Sequence, residues 1–493
     1  DQYILSFELE KIVHLGYNLK MKNKIFISAS IPYVNAPPHL GHALEAVQVD
    51  VIARTYREVV GKENIYLLWG TDENASKNVE AANKLNTPVQ ELVDKNSQEF
   101  QNLKGIFNLT YNQFIKTSSD KHKRGAQKLW ELCKKDVYKK KYKGLYCTGC
   151  ENFYKTNEFK DNICPYHNRK LELFEEENYF FALSKYQDKV KSLIEKNKYL
   201  IYPEFRKKEI LNFINSGLED FSISRPKERT NGWGVPVPND ENHIMYVWFD
   251  ALANYITALG FENEDKLYSD FWDNSQERIH VIGKDITKFH AVYWPAMLLS
   301  AGLELPTKLY IHGFITISGQ KMSKTIGNIV NPFEVAKQYG TDPLRYYLLK
   351  EIPSISDGDF SIRRFDEIYN ADLANTLGNL ISRITNLCEK NNMTIKVKDE
   401  KLDSEIVKHI QDYNFAKALE IIWKRLNKLN IEINKKEPWN LKSEEAINYL
   451  TSCIEEIRKI IINLRPFLPE TTEKILNLTQ GKIKKSNPLF PRI

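Results

Sequence analysis

Three groups of residues have types and spacings that could do chemistry. The segment PPHLGH, residues 37–42, sets His39 and His42 three positions apart around Leu40 and Gly41. The segment GQKMSKTIGN, residues 319–328, places Lys321 and Lys324 between Gly319 and Gly327. The segment CTGCENFYKTNEFKDNICPYH holds Cys147, Cys150, Cys164 and His167, in two pairs with two residues between the members of each.

The last group reads as a metal site. Two tight knuckles can present three thiolates and one imidazole to a tetrahedral ion. That donor set suits Zn²⁺ and leaves no position open for water, so the expectation is one structural zinc per chain. Scattered cysteines beside a surface histidine are the alternative. Three of only six cysteines falling into paired knuckles speaks against it.

The histidine pair does not fit a zincin motif, which needs an offset of four and a glutamate between. Gly41 lets a ligand approach the backbone, and a helix that starts here aims its free N–H groups and positive dipole end at that spot. Imidazoles there can donate hydrogen bonds to phosphate oxygens; polar residues that only serve the helix end are the alternative. The lysine pair, flanked by glycines, suits a loop that closes over an anion. On its own a solvated lysine pair is the ordinary reading.

The surrounding elements must hold these groups in place. KIFISAS (24–30) reads as a strand, HALEAVQVDVIARTYREVVG (42–61) as a helix stopped by Gly61, and NIYLLWGTDE (64–73) as a strand. This βαβ unit starts its helix at the histidine pair and lacks the GxGxxG dinucleotide fingerprint. Residues 135–175, rich in Lys, Tyr and Asn, read as an insertion that carries the cysteines. Strand-then-helix patterning resumes with ERIHVIGKDITKFHAVYWPAMLLSAGL, whose apolar end is a buried helix and too short to cross a membrane. From about residue 367 the pattern is that of long amphipathic helices. The fold class expected is α/β: a Rossmann-like parallel-sheet catalytic domain, split by a zinc-containing insertion and followed by a C-terminal α-helix bundle.

The chain of 493 residues has 42% apolar and 27% charged residues and a net charge of +6. These values fit a globular protein of more than one domain, and the mild basic excess is compatible with nucleic acid without requiring it. The cysteine usage is not a disulfide framework and points to a reducing compartment. Residues 1–20 contain Asp1, Glu8 and Glu10 and no arginine, so they read as neither signal nor transit peptide. Met21 looks like a start, which makes 1–20 an extension or a remnant of cloning.

HLGH resembles the HIGH signature of class I aminoacyl-tRNA synthetases, and KMSKT their KMSKS signature. PYVNAPPHLGH, GTDE, YVWFDAL, GKDITKFH, KMSKTIGN and DPLRYYLL together resemble the methionyl-tRNA synthetase family over residues 22–493, and the GLYCTGC knuckle resembles a subgroup of it. The resemblance implies a methionine–tRNA ligase using ATP with Mg²⁺. It places methionine on Ser30, Ile31, Tyr33, Asp72, Trp248, Ala251, Leu252, Tyr255, Ile286 and His290. It places ATP on His39, His42, Gly283, Asp285, Lys321 and Lys324, with the histidines and lysines as the catalytic groups. It implies that Asn379, Arg383 and Trp439 read the CAU anticodon of initiator and elongator tRNA(Met). Asp72 suits the substrate ammonium, and the aromatic set suits a polarisable thioether. Asn379 and Arg383, at i and i+4, share a helix face, and Trp439 can stack on an unstacked base.

The domains expected are a first catalytic half (21–134), the connective insertion with its knuckle (135–242), a second catalytic half (243–305), a stem-contact region with the KMSKT loop (306–366) and a helical anticodon-binding domain (367–493). Leu40 for Ile, Thr325 for Ser, Leu252 where relatives carry Pro, and His167 for a fourth Cys are the departures. With no appendage after PLFPRI the expectation is a monomer, off the membrane, in the cytoplasm with an organellar matrix as the alternative. Two other readings are a synthetase for Leu, Ile, Val or Cys, of which the first three usually carry a larger editing insert, and a synthetase-like RNA-binding protein that has lost catalysis.

Overall fold

Strand β1 (Ile25–Ala29) is buried along its whole length, as befits a strand covered on both faces. In the computed structural model, which describes residues 24–147, 152–154, 159–165, 169–322, 327–397 and 400–493, it sits at the centre of a six-stranded sheet. The other strands are β2 (Ile65–Thr71), β3 (Gln113–Lys116), β4 (Leu200–Tyr202), β5 (Glu277–Gly283) and β6 (Lys308–His312). Every pairing is parallel and the order is β3-β2-β1-β5-β6-β4. Alternation along β1 divides the core. Ile25, Ile27 and Ala29 pack with helix α1 (Leu40–Val60) and the C-terminal helices. Phe26 points the other way, to a second cluster with Leu129, Phe249 and Trp294.

Helix α1 crosses from β1 to β2, while β1 meets β5 on its other edge, so the connectivity reverses between β1 and β5. In open α/β sheets such a reversal opens a crevice at the carboxyl ends of the strands. Besides β3, two strands come from stretches where sequence patterning did not place them. The three-residue β4 lies within 135–242, and β6 lies within 306–366. The first is too short to show a period. The second, KLYIH, is a brief apolar run that periodicity cannot assign.

The insertion is built on a long antiparallel ladder between Val137–Cys147 and Glu172–Phe181. Its charges match across the strands: Lys141 faces Glu177 and Lys143 faces Glu175. The C-terminal region packs helices Asn379–Lys390, Phe415–Lys436, Ser443–Ile461 and Pro469–Leu478 against one another and onto the α1 face of the sheet. One side chain fastens the two regions. Arg345 is fully buried; it pairs with Asp50 of α1 at 2.9 Å and donates to the carbonyls of Phe107 (2.9 Å), Pro466 (2.8 Å) and Phe467 (2.7 Å).

Candidate active site

A cavity of about 610 Å³ opens at the carboxyl ends of β1, β2, β5 and β6. Ser30, Ile31 and Tyr33 follow β1, Asp72 follows β2, and Gly283 closes β5, so the sheet itself gathers them around one space. His39 and His42 reach it from the start of α1, Trp248, Ala251, Leu252 and Tyr255 from the segment after the insertion, and Asp285, Ile286 and His290 from the turns after β5. Lys321 stands at its rim. Lys324 lies outside the described residues.

The two histidines have a double duty. His39 is the N-cap of α1: the Gly41 N–H donates to His39 Nδ1 at 3.1 Å, and the His39 N–H donates to His42 Nδ1 at 3.1 Å. This is the reciprocal capping-box geometry, made here by two imidazoles. Their rings stack at 3.8 Å, and His42 meets Phe100 edge-on. Because each Nδ1 accepts from the backbone, each neutral ring carries its proton on Nε2. Burial pulls the pKa of His39 down to about 4, with Lys321 adding to the effect against its own backbone hydrogen bond. Burial, then the neighbouring His39, holds His42 well below the ordinary range. Near neutral pH both are uncharged donors through Nε2–H. Helix capping thus occupies Nδ1 of each ring and not Nε2, so capping does not exclude donation to a phosphate.

Gly41 is small for a reason visible here. A Cβ at this position stands 2.9 Å from His39 Cε1 and 3.6 Å from Met322 Cε. Met322, buried in the core shared with α1, ties the lysine segment to the helix start, and the Leu40 N–H donates to the Val330 carbonyl at 3.2 Å on the segment's far side. Lys321 Nζ and Lys284 Nζ both lie over the Phe314 ring, at 4.7 and 4.8 Å. A Cβ on Gly283 meets Asp285 Oδ1 at 3.2 Å and Phe314 at 3.4 Å, so the absence of a side chain keeps that corner open.

The opposite end of the cavity is aromatic. Trp248 lies flat on Phe289, 3.8 Å apart and 4° from parallel, and meets Tyr33 edge-on. The Tyr255 hydroxyl is 2.7 Å from His290 Nε2, and His290 Nδ1 is 3.0 Å from the Ile286 carbonyl. A carbonyl can only accept, so Nδ1 carries the proton and Tyr255 donates to Nε2. Burial lowers the His290 pKa to about 4, which keeps that neutral arrangement in place. His290 sits in a widened helical turn, Phe289–Tyr293, of the kind that often marks functional sites. Asp72, 1% exposed, is set by its N–H donating to the Pro32 carbonyl at 2.8 Å.

Sequence reasoning missed the buried pair between these two ends. Glu45 Oε1 accepts from the Ser30 N–H (2.9 Å) and hydroxyl (2.6 Å), and Oε2 lies 2.9 Å from His312 Nε2. His312 Nδ1 faces the Gly313 carbonyl at 2.7 Å. Both ring nitrogens therefore face acceptors, the pattern of an imidazolium. Burial opposes that charge, but the hydrogen bond and negative charge of Glu45 outweigh it and the His312 pKa is raised. Glu45 falls one helical turn after His42, the one signal that could have drawn attention to it.

The other described residues singled out in the sequence do not line the cavity. Cys147 ends a strand of the insertion, Cys164 lies on a short two-stranded ladder, and both are buried in one small cluster with Leu145 and Leu171. Cys150 and His167 lie outside the described residues. Among the described residues no group of three or more His, Cys, Asp or Glu has metal-site geometry, and no helix is long and apolar enough to cross a membrane. Asn379 opens helix Asn379–Lys390 and is exposed. One turn on, Arg383 donates to Asn434 Oδ1 (2.5 Å) and Asn430 Oδ1 (2.9 Å) of helix Phe415–Lys436. That helix runs out into the turn carrying Trp439, which is 49% exposed.

Comparison with known proteins agrees with this architecture. A family profile described as tRNA synthetases class I (M) matches residues 25–171 and 156–385. The chain is 38% identical to a methionine–tRNA ligase of Fusobacterium nucleatum, covering 96% of this chain and 80% of that protein. It is 39% identical to one of Brucella suis, covering 93% and 92%. The crystal structure of Mycobacterium tuberculosis methionyl-tRNA synthetase bound by methionyl-adenylate superposes with a TM-score of 0.87 at 32% identity, over 95% of this chain and 100% of that one. With its parallel sheet, its histidine-capped helix and these relatives across nearly its whole length, the chain belongs to the class I methionyl-tRNA synthetases, the methionine–tRNA ligases.

Proposed function

We propose that the cavity activates L-methionine with ATP and then charges tRNA(Met), in a cytoplasmic, monomeric enzyme. The observation that carries this is the joining, in one space, of Asp72 and an aromatic end with two neutral imidazole donors and Lys321. Asp72 receives the ammonium group. Ser30, Ile31, Tyr33, Trp248, Ala251, Leu252, Tyr255, Ile286 and His290 enclose the side chain, whose thioether gains from the aromatic faces. The adenosine lies by Gly283, with Asp285 on its ribose hydroxyls.

The first step needs no base. The methionine carboxylate, already ionised, attacks the α-phosphorus; the bond to the bridging oxygen breaks and pyrophosphate leaves. What the protein supplies is alignment and neutralisation of charge on the phosphoryl oxygens, from His39 and His42 Nε2–H, Lys321 and Lys324. Mg²⁺ accompanies ATP and shares that neutralisation. In the second step the 2′-hydroxyl of the terminal adenosine of tRNA attacks the adenylate carbonyl and AMP leaves. A panel of amino acids in ATP–pyrophosphate exchange tests the assignment: methionine supports exchange, and exchange with leucine in its place overturns it.

Asn379, Arg383 and Trp439 form the anticodon-reading face. A half-exposed indole suits stacking on an unstacked loop base, and amide and guanidinium groups suit its hydrogen-bonding edges. Trp439→Ala raises KM for tRNA by about tenfold, the scale of one lost stacking contact, and leaves methionine-dependent exchange unchanged. A parallel loss of exchange would show a folding defect and remove Trp439 from this role.

Cys147, Cys150, Cys164 and His167 hold one structural zinc, which fastens the tip of the insertion. The shared burial of Cys147 and Cys164 in one cluster supports this. Protein purified without chelators carries one zinc per chain by metal analysis, and Cys164→Ala protein carries none; zinc-free wild-type protein overturns the assignment. The buried thiols of Cys133, Cys388 and Cys453 fit a reducing compartment.

A further inference from the structure

Behind the ammonium site lies a chain of buried hydrogen bonds that the reaction as described does not use. Asp72 Oδ1 accepts from the Asn74 N–H at 3.1 Å and from the Thr117 hydroxyl at 3.3 Å. The Asn74 side-chain amide donates to the Thr117 carbonyl at 3.0 Å and to Asp250 Oδ2 at 2.8 Å. Asp250 Oδ1 lies 2.5 Å from His122 Nε2, and His122 Nδ1 lies 2.8 Å from the Thr257 hydroxyl. Asn74, Thr117, Asp250, His122 and Thr257 are all buried.

Such a network is an expensive way to fill a core. Each of its polar groups gives up water, and its hydrogen bonds contribute little net stability over apolar packing. What it does secure is geometry. Asp250 belongs to helix Val247–Leu252, whose Trp248, Ala251 and Leu252 line the cavity. His122 comes from helix Asp120–Cys133, and Asn74 from the turn after β2. The chain thus ties the carboxylate of Asp72 to the wall that receives the amino-acid side chain, across three separate elements.

We infer that Asp250, held by His122, is a positioning residue that fixes Asp72 through Asn74 and so sets the cavity's affinity for the α-ammonium group of its substrate. This rests on the reading of Asp72 as the ammonium acceptor. It concerns the ammonium group more than the side chain, because the Trp248 wall is also held by its own stack on Phe289. With its acceptor geometry loosened, Asp72 keeps its charge but loses its aim, and binding energy tied to direction is lost.

The test uses two competitive inhibitors of methionine-dependent exchange that differ only in the amine: L-methioninol and its deamino counterpart, 4-(methylthio)butan-1-ol. In Asp250→Asn protein the inhibition constant of methioninol rises by about tenfold, the scale of one weakened hydrogen bond to a charged group. That of the deamino compound stays within about twofold, and KM for methionine rises while kcat changes little. Equal weakening of both inhibitors shows that Asp250 only shapes the pocket and overturns the inference, as does no change in either. Asn74→Ala, which cuts the link but leaves the Asp250–His122 pair intact, is the second variant should Asp250→Asn fail to fold, and carries the same expectations. Asp72→Asn is measured alongside. If it leaves methioninol binding unaltered, the ammonium assignment itself falls. If it weakens methioninol while Asp250→Asn and Asn74→Ala do not, only the positioning role falls.

Discussion

Replacing His39 with alanine lowers methionine-dependent ATP–pyrophosphate exchange by about 10²–10³-fold, the usual effect of deleting one preorganised donor to a transition-state oxygen. The stability loss is far smaller, about 1 kcal/mol for a missing N-cap. His39→Asn separates the two effects: its Oδ1 can still accept the Gly41 N–H that His39 Nδ1 accepts, so stability returns while the rate stays low. Exchange at the wild-type rate in folded His39→Ala protein would exclude the residue from catalysis. The same reasoning fixes the pH behaviour. With the folded-state pKa of His39 drawn down to about 4, mainly by burial, the ring is neutral throughout the physiological range. The pH profile of kcat/KM for exchange therefore shows no inflection from this residue between about 5.5 and 8, whereas an ordinary histidine titrates near 6.5. The unfolded chain binds a proton at His39 in the window from about 6.5 down to about 4 that the folded chain does not. Folding stability contributed through this group therefore falls as pH drops across that window.

Arg345→Leu destabilises the fold by about 3–5 kcal/mol, because it takes from a buried carboxylate the one fully buried guanidinium of the two that pair with it. Asp50 and Arg345 are both fully buried, and Asp50 also accepts from Arg54 Nε at 2.7 Å and from Thr110. Burial pushes the Asp50 pKa up, but Arg345, Arg54 and the Thr110 hydrogen bond outweigh it and hold it below the ordinary carboxylate value. A depressed carboxylate stabilises the fold above its unfolded pKa, and that contribution is lost as pH falls through the folded value. In the variant three backbone carbonyls also lose their donor, two of them, Pro466 and Phe467, from the C-terminal region. Thermal melting followed by circular dichroism reads the loss. The double variant Asp50→Leu/Arg345→Leu recovers part of it, since the buried carboxylate goes with its partner and Arg54, at 16% exposure, keeps the Asn108 carbonyl as acceptor. A melting temperature within a degree of wild type would show that Arg54 alone suffices for Asp50 and overturn the expectation.

The local parts of this molecule were legible in its sequence. The strand Ile25–Ala29, the helix after HLGH and its stop at Gly61 follow from apolar periodicity and a glycine in the left-handed half of backbone space, at φ 96°. The two signature segments were legible because their spacing is short. What the sequence hid is what joins distant segments. Asn74 and Asp250 are 176 positions apart, His122 and Asp250 128 apart, and Glu45 and His312 267 apart. A pairing of that span leaves no periodic trace in either segment. Strand β4 was hidden for a different reason: three residues at a sheet edge, one of them Leu200 at 38% exposure, carry too little pattern to separate from a loop. The roles of the two ring nitrogens in His39 and His42 were hidden too, because residue type does not reveal which nitrogen the main chain occupies.

That last feature bears on how the site withstands mutational drift. The proton stays on Nε2 of both rings because main-chain N–H groups, those of Gly41 and His39, occupy the Nδ1 positions. Every residue except proline supplies such a group, so neighbouring side chains can change over long lineages without altering the protonation pattern. The vulnerable point is position 41. Any side chain there crowds the His39 ring, and proline also removes the donor. In this family member the chemistry of two histidines is insured by the backbone, and its one exposed liability is the glycine between them.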